Sequence, residues 1–100
     1  MARKEEKVTV RTVNVPGYTT RVNKARYDAM KRAMWIVLPR RAPGLTEREI
    51  REAVVPHLPA DLYPGGAKAG WWAKTVQLDQ EAKGAVVREA TKPLRWHLVR

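Results

Sequence analysis

The side chains with the clearest chemical potential lie in one segment, residues 65–77, which opens on the pair Gly65-Gly66. Lys68 and Lys74 can donate to guanine O6 and N7 or to a phosphate, and Gln77 can pair bidentately with adenine. Backbone amides at a glycine-rich helix start are also a natural phosphate contact. These residue types suit contact with a nucleic acid, although a sharp turn beneath large neighbouring side chains explains the glycines equally well.

Catalysis has little support in the sequence. The chain contains no Cys and no Ser, which excludes disulfides, thiol and serine nucleophiles and cysteine-based zinc sites. His57 and His97 stand far apart without the spacing of metal ligands. Asp79 and Glu81 are two residues apart on a predicted helix and therefore do not face each other. We expect a protein that is not an enzyme and that uses no metal and no cofactor.

Positive charge dominates the composition: twenty Lys and Arg stand against ten Asp and Glu, a net charge of +10. On so small a domain the field attracts phosphate backbones, anionic membranes or acidic proteins. A Ser-free composition rich in Arg, Ala and Val is equally expected from a GC-rich genome, so charge alone does not identify the partner. Segment 65–83 carries only three Lys against two acidic residues. The cations singled out elsewhere are Arg40, Arg41, Arg88, Lys92 and Arg95.

Length and hydropathy indicate one globular domain, since one hundred residues is an ordinary domain size. No apolar run approaches the ~20 residues that a membrane-spanning helix needs. The first residues lack the apolar core of a secretory signal. We expect a cytoplasmic protein that does not enter a membrane.

The N-terminal segment is predicted to form a β-hairpin. Residues 8–15 are β-branched with partial alternation, Pro16-Gly17 interrupts them, and residues 18–22 resume an extended pattern. We therefore divide the chain into a basic N-terminal extension with a β-hairpin, residues 1–22, and a main domain, residues 23–100.

The first two helices have recognisable start signals. Apolar residues at helical spacing predict a first helix over residues 24–38, with Asn23 as its N-cap. Thr46 followed by Glu49 is a capping box, in which each side chain bonds the other residue's amide. The second helix is therefore predicted to begin at Glu47 and to end near the prolines that follow.

The C-terminal half is predicted to contain a third helix and a second hairpin. The helix covers about residues 67–83, and Gly84 closes it. Residues 85–88 and 94–98 are predicted to be two strands.

Four Trp and no Phe supply the large apolar side chains. Because neighbours on a helix point 100° apart, one of Trp71 and Trp72 is predicted to be half exposed. Stacking on unpaired bases is an alternative role for these rings. The predicted large core anchors are Trp35, one of Trp71 and Trp72, and Trp96.

Three helices followed by a hairpin, with the second helix opened by Gly44-Leu45-Thr46-x-x-Glu49-Ile50, resemble winged-helix DNA-binding domains. Residues 78–88, where a helix ends at glycine and enters a strand, resemble the passage from recognition helix to wing. The Trp72-Ala73-Lys74 start is similar to the N-terminal winged-helix domain of Mrr-type restriction endonucleases. The Pro-Gly-Gly-Ala-Lys-Ala-Gly-Trp-Trp segment resembles small bacterial proteins and brings no established function. Two departures are a long Pro/Gly-rich link before the third helix and polar Gln80 where an apolar residue is expected.

The resemblance implies an α+β winged-helix fold with an added N-terminal hairpin. It implies that the third helix enters a major groove of double-stranded DNA, that the terminal hairpin is the wing, and that the role is regulatory or architectural. The alternatives are a protein-interaction module on the same scaffold, including a homodimer through an exposed edge strand, and association with RNA or the ribosome. The candidate nucleic-acid-binding residues are Lys68, Lys74, Gln77, Arg88, Lys92, Arg95, Arg40 and Arg41.

Overall fold

A computed structural model describes residues 6–99, which form three helices and two small antiparallel sheets. This arrangement confirms the α+β class. In chain order, the elements are β1 (Lys7–Arg11), β2 (Thr19–Asn23), α1 (Lys24–Val37), β3 (Leu45–Thr46), α2 (Glu47–Val54), α3 (Ala69–Ala82), β4 (Val86–Glu89) and β5 (Arg95–Leu98). Short 3-10 turns at Val55–His57 and Pro64–Gly66 lie between α2 and α3.

The predicted N-terminal hairpin is present as the pair β1–β2, with Val10 opposite Thr20. Its strands are shorter than the alternating pattern predicts, because residues 12–18 form the connecting turns. Val10 is buried in the hydrophobic core, and the hairpin packs against α1 and α3. Residues 1–5 of the predicted extension lie outside the described residues.

The second sheet has the strand order β3–β5–β4, so the C-terminal strand is central. Leu45 in β3 pairs with Trp96, and Val86 in β4 pairs with Leu98. Gly44 has a φ of 91°, and a Cβ there would overlap the backbone carbonyl of Trp96. Only glycine fits this close approach, which brings the chain before α2 onto β5.

Local capping signals set the starts of α1 and α2 as predicted. The Asn23 side chain accepts from the amide of Arg26 at 2.9 Å. Both bonds of the capping box are present, with Glu49 N to Thr46 Oγ1 at 3.2 Å and Thr46 N to Glu49 Oε1 at 2.9 Å. Helix α1 ends at Val37, one residue before the predicted end.

Helix α3 is the central element, because it packs against α1, α2, β1 and β4. It begins slightly later than predicted, since Lys68 has a left-handed backbone (φ 63°), and the chain leaves it at Gly84 with a φ of 81°. Ala69, Trp72 and Val76 on this helix are buried in the core. The packing on so many sides leaves α3 little exposed surface.

The core is mostly aliphatic and methionine-rich, with Met30, Met34 and Ile50 almost fully buried. Trp72 and Trp96 are core residues as predicted. The prediction for Trp35 is wrong: its side chain is 39% exposed. No helix within residues 6–99 has the length and apolar character needed to cross a membrane.

Candidate nucleic-acid interface

A buried polar network occupies the side of α3 that faces the N-terminal hairpin. The fully buried carboxylate of Asp79 accepts from the backbone amide of Arg11 at 2.8 Å, from the Tyr27 hydroxyl and from Lys83 Nζ at 2.9 Å. Burial, and then the bond to Asp79, raises the pKa of Tyr27, so its hydroxyl remains a donor. This network fixes the hairpin against the helix.

Gln80 belongs to the same network, which explains its polarity. Its amide donates to the Tyr27 hydroxyl at 2.8 Å, and its carbonyl oxygen accepts from Trp35 Nε1 at 3.4 Å. Sequence periodicity favours an apolar residue here. The polar residue fits because its two partners, both on α1, satisfy its side chain in the buried site.

A second network centres on Glu81, at the C-terminal end of α3. Its carboxylate accepts from Gln77 Nε2 at 3.1 Å, from Trp96 Nε1 at 2.9 Å and from Arg88 Nε at 3.0 Å. The Arg88 guanidinium also lies 5.6 Å from the centre of the Trp96 ring. These contacts join α3 to the terminal hairpin β4–β5.

Gln77, which is predicted to contact a base, is buried inside the domain. Its side chain is only 3% exposed and bonds Glu81 inside the domain. Its side of α3 faces the core, so its amide is not presented to a base. Lys68 and Lys74 are both exposed and make no ion pair within residues 6–99.

The glycines before α3 are accounted for by backbone geometry. Gly65 and Gly66 have φ values of 62° and 76°, which favour glycine. The Gly66 amide donates to the Tyr63 carbonyl at 2.9 Å, and the Ala67 amide donates to Pro64 at 3.0 Å. These two amides are bonded within the chain and are not free to contact a phosphate in this structure.

The predicted wing cations divide into two kinds. Arg88 bonds Glu81, and Arg95 Nη1 contacts the Gly44 carbonyl at 3.1 Å and Glu49 at 3.4 Å. Lys92, in the connection between β4 and β5, is exposed and makes no ion pair among the described residues. The two arginines are therefore partly committed to holding the hairpin in place.

The α1 end of the molecule carries further exposed cations. Arg40 and Arg41 are exposed in the link between α1 and β3. On α1 itself, Lys31 Nζ lies 5.9 Å above the Trp35 ring, and Arg32 lines the same shallow depression. Sequence analysis did not select Lys31 and Arg32 as site residues. The sequence signal that could have identified them is the adjacent basic pair Lys31-Arg32, one helical turn before Trp35.

The two histidines are not brought together. His97 Nε2 lies 2.9 Å from Glu89 across the terminal hairpin, and that hydrogen bond raises the pKa of the imidazole. His57 is exposed after α2. Within residues 6–99, no three His, Asp or Glu side chains are grouped so as to hold a metal ion.

Comparison with known proteins identifies a family but no described activity. The family described as "Family of unknown function (DUF6958)" matches residues 7–96. No curated protein matches the chain. No solved structure matches it either.

Proposed function

The chain belongs to the DUF6958 family, whose function is unknown, and we propose that it is a non-catalytic winged-helix protein that binds double-stranded DNA through the phosphate backbone. The helices α2 and α3 are the helix-turn-helix of this proposal, and β4–β5 is the wing. The order of three helices followed by a hairpin supports it. Pairing of β3 with β5 supports it further, because it joins the start of α2 to the wing.

The observation that carries the proposal is that many acidic side chains are already in ion pairs, whereas several cations are exposed without one. Within residues 6–99, Asp28, Glu49, Glu52, Asp79 and Glu81 each form an ion pair with Lys or Arg. Five of the ten acidic residues are thus already paired, and the chain as a whole has a net charge of +10. The cations left exposed supply the sequence-independent attraction that a phosphate backbone exerts on a basic surface. Among the predicted residues these are Lys68, Lys74, Lys92, Arg40 and Arg41.

Contact with phosphates, not reading of bases, is the mode that α3 supports. Its exposed positions include Trp71 and Lys74, whereas Gln77 and Asp79 are buried. A helix that reads a major groove needs several polar side chains directed at base edges. Lys68 and Lys74 alone fix the position of a duplex without distinguishing sequences.

A titration of a mixed-sequence duplex at increasing salt tests the proposal. We expect binding at about 50 mM salt that weakens steeply as salt rises, because each neutralised phosphate releases counterions. The Lys68→Ala, Lys74→Ala double variant should reduce both the affinity and the salt slope. Absence of duplex binding by the full chain at that salt would refute the proposal.

A matched control separates a local contact from general charge. Arg48 lies on α2, pairs with Glu52 at 3.3 Å and is 79% exposed. Arg48→Ala removes the same unit of charge as Lys74→Ala but from another helix. We expect the Lys74 change to weaken duplex binding more. Equal effects of the two changes would contradict a defined interface around the start of α3.

A further inference from the structure

A groove of about 300 Å³ separates the N-terminal hairpin from α3. Tyr18 and Thr20 line it on the hairpin side, and Trp71, Thr75 and Leu78 line it on the helix side. The volume is at the lower end of the roughly 300–1,000 Å³ of small-ligand sites. Tyr18 is 55% exposed and Trp71 is 56% exposed, so the groove presents two large aromatic side chains to solvent.

The Trp71 ring is supported from below by buried aromatic side chains. It meets Trp72 edge to face, with centroids 5.1 Å apart and planes at 82°. Trp72 in turn meets Tyr63 at 6.3 Å and 87°, and the Tyr63 hydroxyl donates to the Arg26 carbonyl at 2.7 Å. An exposed ring held in this way loses little conformational entropy when a ligand covers it.

The opposite wall is fixed as well. Val10 is 3% exposed in the core, and the Arg11 amide is bonded to the buried carboxylate of Asp79. Both residues also line the groove. The groove is therefore already formed in the free protein, and ligand entry requires no folding of the hairpin.

The charge around the groove selects an anionic ligand. Among residues 6–99, none of the side chains that line it is acidic, and Arg11 lines it without an ion pair there. Lys74 is exposed one helical turn after Trp71. A planar, apolar surface bordered by cations fits the two parts of a nucleotide, whose base stacks on aromatic rings and whose phosphate seeks positive charge.

We propose that this groove binds an unpaired nucleobase of single-stranded DNA, stacked on Trp71 and Tyr18, with the adjoining phosphates contacted by Arg11 and Lys74. The inference shares with the proposed function the need for a nucleic acid as partner, but it does not depend on duplex binding. It goes beyond it because the ligand is a base outside a duplex, held by stacking.

Two fluorescent oligomers test the proposal: a short oligothymidylate and an abasic oligomer of the same length and charge. Their binding to the full chain is followed by fluorescence anisotropy at about 50 mM salt. We expect the oligothymidylate to bind about tenfold more tightly, since one base stacked on an aromatic ring changes affinity by roughly that factor. Equal affinity for the two oligomers would overturn the proposal.

Variants assign the preference to the groove. Trp71→Ala and Tyr18→Ala should each abolish most of the preference for bases, and Trp71→Phe should keep part of it. Val15→Ala is the matched control, because Val15 is 55% exposed on the same hairpin but does not line the groove. Circular dichroism melting of each variant checks the fold, and Tyr18→Ala remains decisive if Trp71→Ala unfolds. Retention of the full preference in folded Tyr18→Ala or in folded Trp71→Ala would refute the assignment.

A duplex arm distinguishes the two proposals. Duplex binding without a base preference overturns the groove proposal and leaves the backbone proposal standing. A base preference without duplex binding overturns the backbone proposal and leaves the groove proposal standing. Sedimentation of the same variants tests whether a second copy of the chain occupies the groove instead. Self-association that depends on Trp71, without any base preference, would overturn the proposal in favour of an interface between copies.

Discussion

The buried carboxylate of Asp79 accepts a hydrogen bond from the backbone amide of Arg11 at 2.8 Å, although the two residues are 68 positions apart. The bond joins the N-terminal hairpin to the last turn of α3. The same carboxylate holds Tyr27 on α1 and Lys83 at the end of α3. One side chain therefore connects three separate elements, and its loss affects more than a local contact.

Asp79→Ala should lower the free energy of unfolding by about 3 kcal/mol, because it leaves the Arg11 amide and the Tyr27 hydroxyl without their buried acceptor. Urea denaturation followed by circular dichroism measures the change. Asp28→Ala is the control, since it breaks an exposed ion pair with Lys24 and should cost much less stability than Asp79→Ala. Similar losses for the two variants would contradict a structural role for the Asp79 network.

Gly44→Ala should destabilise the fold by about 3 kcal/mol, because the new Cβ overlaps the Trp96 carbonyl and the backbone is left-handed. Gly17→Ala provides the comparison: its φ of 88° is similar, but no atom lies within 4 Å of the new Cβ. We expect Gly17→Ala to cost about 1 kcal/mol from backbone strain alone. Thermal unfolding of both variants measures the difference, and equal midpoints would show that β3 does not require this close approach.

The pair His97–Glu89 should make stability depend on pH. The hydrogen bond to Glu89 raises the folded-state pKa of His97 above its ordinary value of 6.5. The resulting stabilisation is fully present below pH 6.5 and is lost as the pH rises through the folded-state value. Thermal unfolding across this range should show a falling midpoint, and Glu89→Gln should reduce the fall. An unchanged pH profile in that variant would assign the dependence to another group.

Lys74→Ala and Gln77→Ala should have opposite effects on binding and stability. Lys74 is exposed, so its removal should weaken duplex binding, reduce the salt slope by about 1 and leave stability nearly unchanged. Gln77 is buried against Glu81, so its removal should lower the free energy of unfolding by about 1 kcal/mol. Duplex titration and urea denaturation of both variants test this division. A larger loss of duplex affinity from Gln77→Ala would restore its predicted role in base contact.

Local signals in the sequence predict much of the secondary structure. Asn23 and the Thr46–Glu49 capping box identify helix starts to the residue, and Gly84 marks the exit from α3. Each of these signals involves atoms within a few residues of one another. The information needed is therefore contained in a short stretch of sequence.

The polar side of α3 could not be predicted in the same way. The polar stretch of residues 77–81 contains Gln77, Asp79 and Gln80 and resembles a solvated helix face. Their burial depends on partners on β1, on α1 and elsewhere on α3, and sequence periodicity does not reveal those partners. Trp35 is the opposite case, a large apolar residue that the sequence predicts to be buried. Its side chain is instead partly exposed beside Lys31.

The central place of β5 in its sheet has a consequence for the order of events during synthesis. Within residues 6–99, both β3 and β4 pair only with β5, which follows them in the chain. Neither earlier strand has a partner in this sheet until residues 95–98 leave the ribosome. The three-stranded sheet therefore forms after translation of the helices, and β3 closes a loop of some fifty residues when Leu45 meets Trp96. Pulse-labelling hydrogen exchange on stalled nascent chains should find the α1 amides protected before those of β3.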